Sequence, residues 1–121
     1  MTKRVLIVDD SLLLRRQVGT LLAADQHLEV CAEAADGIEA VQKAVECTPD
    51  LVLIDVVMPR MNGLEATRAI KRLAPTVHVL ILALDVSPTV EKESQQAGAD
   101  AVLAKAKAAT QLSKLIHSLL D

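Results

Sequence analysis

Two stretches of this chain, Val5-Leu6-Ile7-Val8 and Leu51-Val52-Leu53-Ile54, are unbroken runs of branched aliphatic residues, and a third fills most of residues 77–83. A strand with one wet face alternates apolar and polar side chains. A strand apolar at every position must be covered on both faces, as in a parallel sheet sandwiched between helices. Candidate strands fall at residues 4–8, 28–34, 51–54, 77–83 and 101–104, with helical patterns between them. The second candidate carries Glu29 and Glu33, which suits an edge position.

The helical segments have recognisable starts. Ser11 precedes the first, where Leu14, Val18, Leu21 and Leu22 recur at helical spacing. Asp36 with Glu39, and Asn62 with Glu65, read as capping boxes for the second and third. Ser87-Pro88 opens the fourth, and Leu112, Leu115, Ile116, Leu119 and Leu120 mark the last. The fourth, residues 89–97, has Val90 and Ala97 as almost its only apolar anchors and is expected to be the most loosely held. Five strand–helix units with short connections predict an α/β fold: a doubly wound, flavodoxin-like, five-stranded parallel sheet of order 2-1-3-4-5 with helices on both faces. Without linker, repeat or low-complexity segment, residues 1–121 read as a single domain that ends with its last helix and holds no output domain.

That order makes the first and third strands neighbours, so the residues closing them meet at the switch-point crevice. Those residues are Asp9-Asp10 and Asp55. Crowded carboxylates repel one another, which raises their pKa values and invites a hard divalent cation. In isolation each has an ordinary explanation, since an acidic pair before a helix caps it and an aspartate before a Met-Pro turn ends a strand.

Composition narrows the classes. The 121 residues include no Phe, Tyr or Trp, so the core is built from aliphatic residues and no base-stacking platform exists. Thirteen basic against sixteen acidic residues give a net charge of −3 with no basic patch, which argues against direct nucleic-acid binding. Cys31 and Cys47 fit no metal or redox motif and read as reduced, partly buried thiols. No stretch reaches membrane-spanning length, and Met1-Thr2-Lys3-Arg4 leads straight into a strand, so a soluble, cytoplasmic protein is expected.

The set Val8-Asp9-Asp10-Ser11, Asp55-Val56-Val57-Met58-Pro59-Arg60-Met61-Asn62-Gly63, Ala97-Gly98-Ala99-Asp100 and Lys105 resembles the receiver domain of bacterial two-component response regulators over essentially the whole chain. The resemblance implies that Asp55 accepts a phosphoryl group from a sensor histidine kinase or phosphotransfer protein. It implies that Asp9, Asp10, Asp55 and the backbone carbonyl of Val57 hold Mg²⁺, and that Lys105 pairs with the incoming phosphoryl group. The chemistry is reasonable, because a carboxylate attacks an anionic phosphorus only when charge on both partners is screened. The resemblance further implies homodimerisation through the fourth helix, fifth strand and fifth helix. The loops at Asp36-Gly37 and Gly63-Leu64-Glu65 resemble receivers that precede helix-turn-helix domains, as in transcription regulators.

The chain departs from the family at three positions. Ala83 stands where the family carries Ser or Thr, Val102 where it carries Tyr or Phe, and Ala106 where a proline follows the lysine. The hydroxyl–aromatic relay is therefore missing from these switch positions, and a signal is expected to leave through the fourth helix by another route. The resemblance further implies that Val57 and Asp85 lie at positions governing water access to an acyl phosphate, where an apolar Val57 would hinder water and Asp85 would orient it. Two other functions compete: a pseudo-receiver acting as an interaction module regardless of phosphorylation, and an aspartyl-phosphate phosphatase. The phosphatase lacks its Asp-x-Asp motif and cap, so the chain is not expected to be an enzyme. Flavin binding lacks both a phosphate-cradling loop and an aromatic to cover the ring.

Overall fold

The structure, a computed structural model, describes residues 2–58 and 60–121. Met1 and Pro59, the latter part of the sequence motif around Asp55, lie outside the described residues. Strands β1 (Lys3–Val8), β2 (Leu28–Ala34), β3 (Leu51–Asp55), β4 (His78–Ala83) and β5 (Ala101–Ala104) form one parallel sheet of order β2-β1-β3-β4-β5. Helices α1 (Leu12–Ala23), α2 (Gly37–Cys47), α3 (Gly63–Leu73), α4 (Pro88–Ala97) and α5 (Ala108–Leu120) connect and cover it, with a 3-10 turn, Lys105–Lys107, ahead of α5.

Strand alternation sorts the core into two halves. Val5, Ile7, Leu51, Leu53, Leu80 and Leu82 pack with Val18 and Leu22 of α1 and Leu112 and Ile116 of α5. Leu6, Val8, Val52, Ile54, Val79 and Ile81 pack with Ala40 and Ala44 of α2 and Ala66 and Ile70 of α3. The chain has no aromatic ring to fill this space, and small residues (Ala40, Ala44 and Ala66) supply much of the helix side of this half. The three central strands are buried almost throughout, as their unbroken apolar runs require, and β2 lies at an edge.

Local differences from the sequence reading have clear causes. Val77 precedes β4 because its N–H closes a turn onto the Ala74 carbonyl instead of joining the ladder. The box expected at Asp36 is half made: Asp36 accepts the Glu39 N–H, but Glu39 takes the N–H of Ala35 instead of that of Asp36. At Asn62 and Glu65 the reciprocal pair is complete. In α4 the buried residues are Ser94 and Ala97, while Val90 is half-buried. Hydropathy hides Ser94, whose hydroxyl is buried without a hydrogen-bond partner among the described residues. A buried unpaired hydroxyl costs stability. Gly98 ends α4 at φ 102°, a left-handed conformation in which a side chain would be strained.

One polar tie fastens α5 to the α1–β2 turn. His117 places Nε2 2.6 Å from Asp25 Oδ2 and Nδ1 3.2 Å from Asp121 Oδ2, so both ring nitrogens face carboxylates and the imidazolium satisfies both. Hydrogen bonding to Asp25 raises the His117 pKa above its ordinary 6.5. The Ser113 hydroxyl first, then the His27 N–H and His117, pull Asp25 down to about 2. The histidine's contribution is complete below pH 6.5 and disappears as pH rises through its higher folded value. The aspartate's contribution is complete above 3.8 and disappears as pH falls through about 2. Thermal melts across pH are expected to show the wild-type chain losing stability above neutrality relative to His117→Gln. Parallel melting curves for the two proteins from pH 6 to 9 would refute the tie.

Candidate functional site

Register brings the acids together. Val8 of β1 pairs with Ile54 of β3, so the next residues, Asp9 and Asp55, emerge side by side at the carboxyl edge. Ala83 of β4 pairs with Ala104 of β5, which puts Lys105 at that same edge. Its side chain reaches over β4 to place Nζ 3.3 Å from Asp9 Oδ2 and 3.3 Å from Asp55 Oδ2.

Each Asp9 polar group has a partner. Its N–H donates to the Ala34 carbonyl (3.1 Å), and its Oδ1 accepts the Ser11 N–H (2.8 Å). Its carbonyl accepts from Arg15 Nη1 (2.6 Å), and Oδ2 faces Lys105. Asp9 and Asp55 are buried, at 4% and 7% exposure, whereas Asp10 is exposed. Burial, reinforced by the Asp9 charge, pushes the Asp55 carboxyl above its ordinary range, although Lys105 pulls the other way. Burial also opposes the Lys105 charge, but Asp55 and Asp9 outweigh it and hold the ammonium more firmly than usual.

One carboxylate oxygen from each of Asp9, Asp10 and Asp55 lies within 4.8 Å of the others. An all-oxygen donor set, open to water on the Asp10 side, suits a hard divalent cation such as Mg²⁺ that keeps part of its hydration shell. The cleft over Asp55, about 420 Å³, is bordered by Asp10, Val57, Ala83, Asp85 and Lys105. It therefore has room for a phosphoryl group. The Val57 side chain is largely exposed, and Ala83 is buried beside the acceptor. Val102 pairs with Ile81 and packs half-buried against the α2–α3 half of the core. Ala83 and Val102 thus present neither a hydroxyl nor an aromatic ring.

Behind the site, the β3–α3 loop is held by backbone contacts. The Gly63 N–H donates to the Val56 carbonyl at 2.8 Å, and the Gly37 N–H to the Met61 carbonyl at 3.1 Å. Arg60, at φ 66°, pairs with Asp36 at the start of α2. The structure brings together Asp9, Asp10, Asp55 and Lys105, the residues singled out in the sequence, and adds an Arg15 contact to the Asp9 carbonyl that was not anticipated. The position of Arg15 one turn after the Ser11 cap was the available signal.

Residues 5–117 match the family described as response regulator receiver domain. The chain belongs to that family. It is 49% identical over 81 residues to a protein-glutamate methylesterase/protein-glutamine glutaminase of Pyrococcus abyssi, across 67% of this chain and 22% of that protein. It is 35% identical over 117 residues to the response regulator protein VraR of Staphylococcus aureus, across 97% of this chain and 56% of that protein. The chain thus spans less than two thirds of either relative. The response regulator domain of Thermotoga maritima CheB superposes with a TM-score of 0.93 at 30% identity, covering 99% of this chain and 97% of that one. The methylesterase likeness is confined to the receiver part and carries no enzymatic activity across. Receiver domains bind Mg²⁺ at an acidic pocket of this kind and interact with histidine kinases or phosphotransfer proteins. Among the described residues, no helix is long and apolar enough to cross a membrane.

Proposed function

We propose that this receiver domain takes a phosphoryl group onto Asp55 from the phosphohistidine of a kinase or phosphotransfer protein, in the cytoplasm. The reading is carried by the convergence of Asp9, Asp10 and Asp55 with the Lys105 ammonium 3.3 Å from the acceptor oxygen. An Asp55 carboxylate oxygen attacks phosphorus, the N–P bond breaks, and its electron pair returns to the donor imidazole, which is protonated at its other nitrogen and departs neutral. The product is an acyl phosphate on Asp55. Lys105, already against the acceptor, pairs with a phosphoryl oxygen and offsets charge that would otherwise repel the donor. Asp9, Asp10, Asp55 and the Val57 carbonyl would hold Mg²⁺, which supplies a divalent charge to screen phosphoryl and carboxylate oxygens.

Ala83 and Val102 separate acceptance from the usual relay. A hydrogen bond to a charged group contributes roughly 1.5–3 kcal/mol, and a methyl group at 83 contributes none of it. The message therefore leaves through α4, the helix anchored by Ser94 and Ala97. The output is regulatory rather than catalytic: a homodimer through α4, β5 and α5, or a DNA-binding partner domain in a transcription regulator. A second reading, a pseudo-receiver indifferent to phosphorylation, draws support from the same two positions and from Ala106.

Amide NMR with Mg²⁺ and beryllofluoride tests the proposal. Resonances around Asp9, Asp10, Asp55 and Lys105 are expected to shift on saturation, while the β4–α4 loop moves less than full closure requires. Unchanged spectra at millimolar Mg²⁺ would remove the acceptor reading. Complete loop closure would remove the claim about the relay.

A further inference from the structure

We propose that Arg15 is a positioning residue for the acidic pair, its guanidinium setting the peptide between Asp9 and Asp10 and so the direction of the Asp10 carboxylate. The inference rests on the metal-site reading above and deepens it. Arg15 Nη1 donates to the Asp9 carbonyl at 2.6 Å, while its Nε donates to Glu33 Oε1 at 2.9 Å. A peptide unit is planar, so holding its carbonyl oxygen also fixes the N–H and Cα of the following residue, Asp10. The Asp9 side chain has its own restraints, from the Ser11 N–H and Lys105. Asp10 has no such restraint: its side chain is exposed, and no hydrogen bond to its carboxylate occurs among the described residues. Among the described residues its orientation is set through its backbone, which the Ser11 N–H to Asp9 Oδ1 bond spans and whose preceding carbonyl Arg15 holds.

The Arg15 side chain is 15% exposed and threads between α1 and the end of β2, where Glu33 holds the far edge of the guanidinium. The two contacts use different nitrogens of one planar fork. A lysine at this position keeps the charge but cannot make both contacts with a fixed angle between them. Charge alone therefore does not explain the arrangement. Nor does bracing alone, because Glu33 and Arg15 would brace α1 to β2 without the carbonyl contact. Groups that orient metal ligands typically change affinity by about 10–100-fold when altered.

Three proteins separate the roles: wild type, Arg15→Lys and Glu33→Gln, each titrated with Mg²⁺ alone by calorimetry and amide NMR, with thermal melts alongside. Arg15→Lys is expected to bind Mg²⁺ roughly 10-fold more weakly, with its largest shift changes at Asp10 and Ser11. Glu33→Gln is expected to lose similar thermal stability yet bind within about twofold of wild type, because the carbonyl contact remains. Phosphorylation of Arg15→Lys should recover at saturating Mg²⁺. Equal Mg²⁺ affinity in Arg15→Lys and wild type, or an equal affinity loss in both variants, would overturn the inference while leaving the metal site intact. Absence of Mg²⁺ binding by wild type would instead sink the function reading itself. Should Arg15→Lys fail to fold, the Arg15 Nε resonance of wild type gives the answer. It must shift with the same half-saturation as Asp10, and a flat response rejects the role.

Discussion

Asp55→Asn is expected to leave the fold intact, to take up no hydroxylamine-labile phosphate, and to melt above the wild-type chain in metal-free buffer. The first two outcomes follow from chemistry. An amide is no nucleophile toward phosphorus at neutral pH, and among the described residues no other carboxylate both pairs with Lys105 and lines the cleft: Asp9 pairs with Lys105 but does not line it. The third follows from the electrostatics. Asp55 is buried at 7% exposure beside Asp9, and together these push its pKa up despite Lys105. A carboxyl whose folded pKa exceeds its unfolded value of 3.8 binds its proton more tightly when folded. Wild-type stability thus falls as pH rises from 3.8 through the folded value, and the ionised form present at neutrality opposes folding. Asparagine keeps the shape without the charge. Calorimetric melts with chelator, run from pH 4 to 8, should show the two proteins converging toward acid and diverging toward neutrality. A lower melting temperature for the variant at pH 7 would mean that the Lys105 attraction outweighs burial and repulsion. In cells, a variant with full activity would favour the pseudo-receiver reading.

Gly63→Ala is expected to damage both stability and phosphoryl acceptance. A Cβ at Gly63 would lie 2.0 Å from the backbone oxygen of Asp55, 2.8 Å from its carbonyl carbon and 2.9 Å from the Cα of Val56. All three atoms are backbone, so no side chain can step aside. Either α3 retreats from the sheet, or the end of β3 moves and takes the acceptor with it. Overpacking of this kind costs about 3 kcal/mol, which for a domain of this size lowers the melting temperature by about 10 °C. A displacement of Asp55 by about 1 Å would slow acceptance on the order of 100-fold. Gly19 provides the control. It lies inside α1 with nothing within 4 Å of a built Cβ. Alanine there should stabilise the helix by about 0.5–1 kcal/mol and leave acceptance unchanged. A Gly63→Ala protein that melts and phosphorylates like wild type would show that the loop yields without cost.

The amino-acid sequence determined the features that depend on local pattern. Unbroken aliphatic runs specify strands covered on both faces, and the acid closing each run falls at the same strand end. Parallel pairing of Val8 with Ile54 then makes Asp9 and Asp55 neighbours. Start signals such as Ser87-Pro88 and Asn62 with Glu65 are equally local, because a cap satisfies donors within its own turn. Lys105 was legible only through a motif, since its approach to Asp9 joins residues 96 apart in sequence.

Tertiary structure alone decided the rest. The Arg15 fork, the His117–Asp25 tie and the close approach of Gly63 to Asp55 each join groups from different elements. Ser94 shows the reverse case, a polar residue buried because α4 turns that face toward the core. Periodicity reports which side of an element meets the interior. It carries no information on which atoms of two packed elements come within hydrogen-bond distance, because that depends on how the side chains of both fill the space between them.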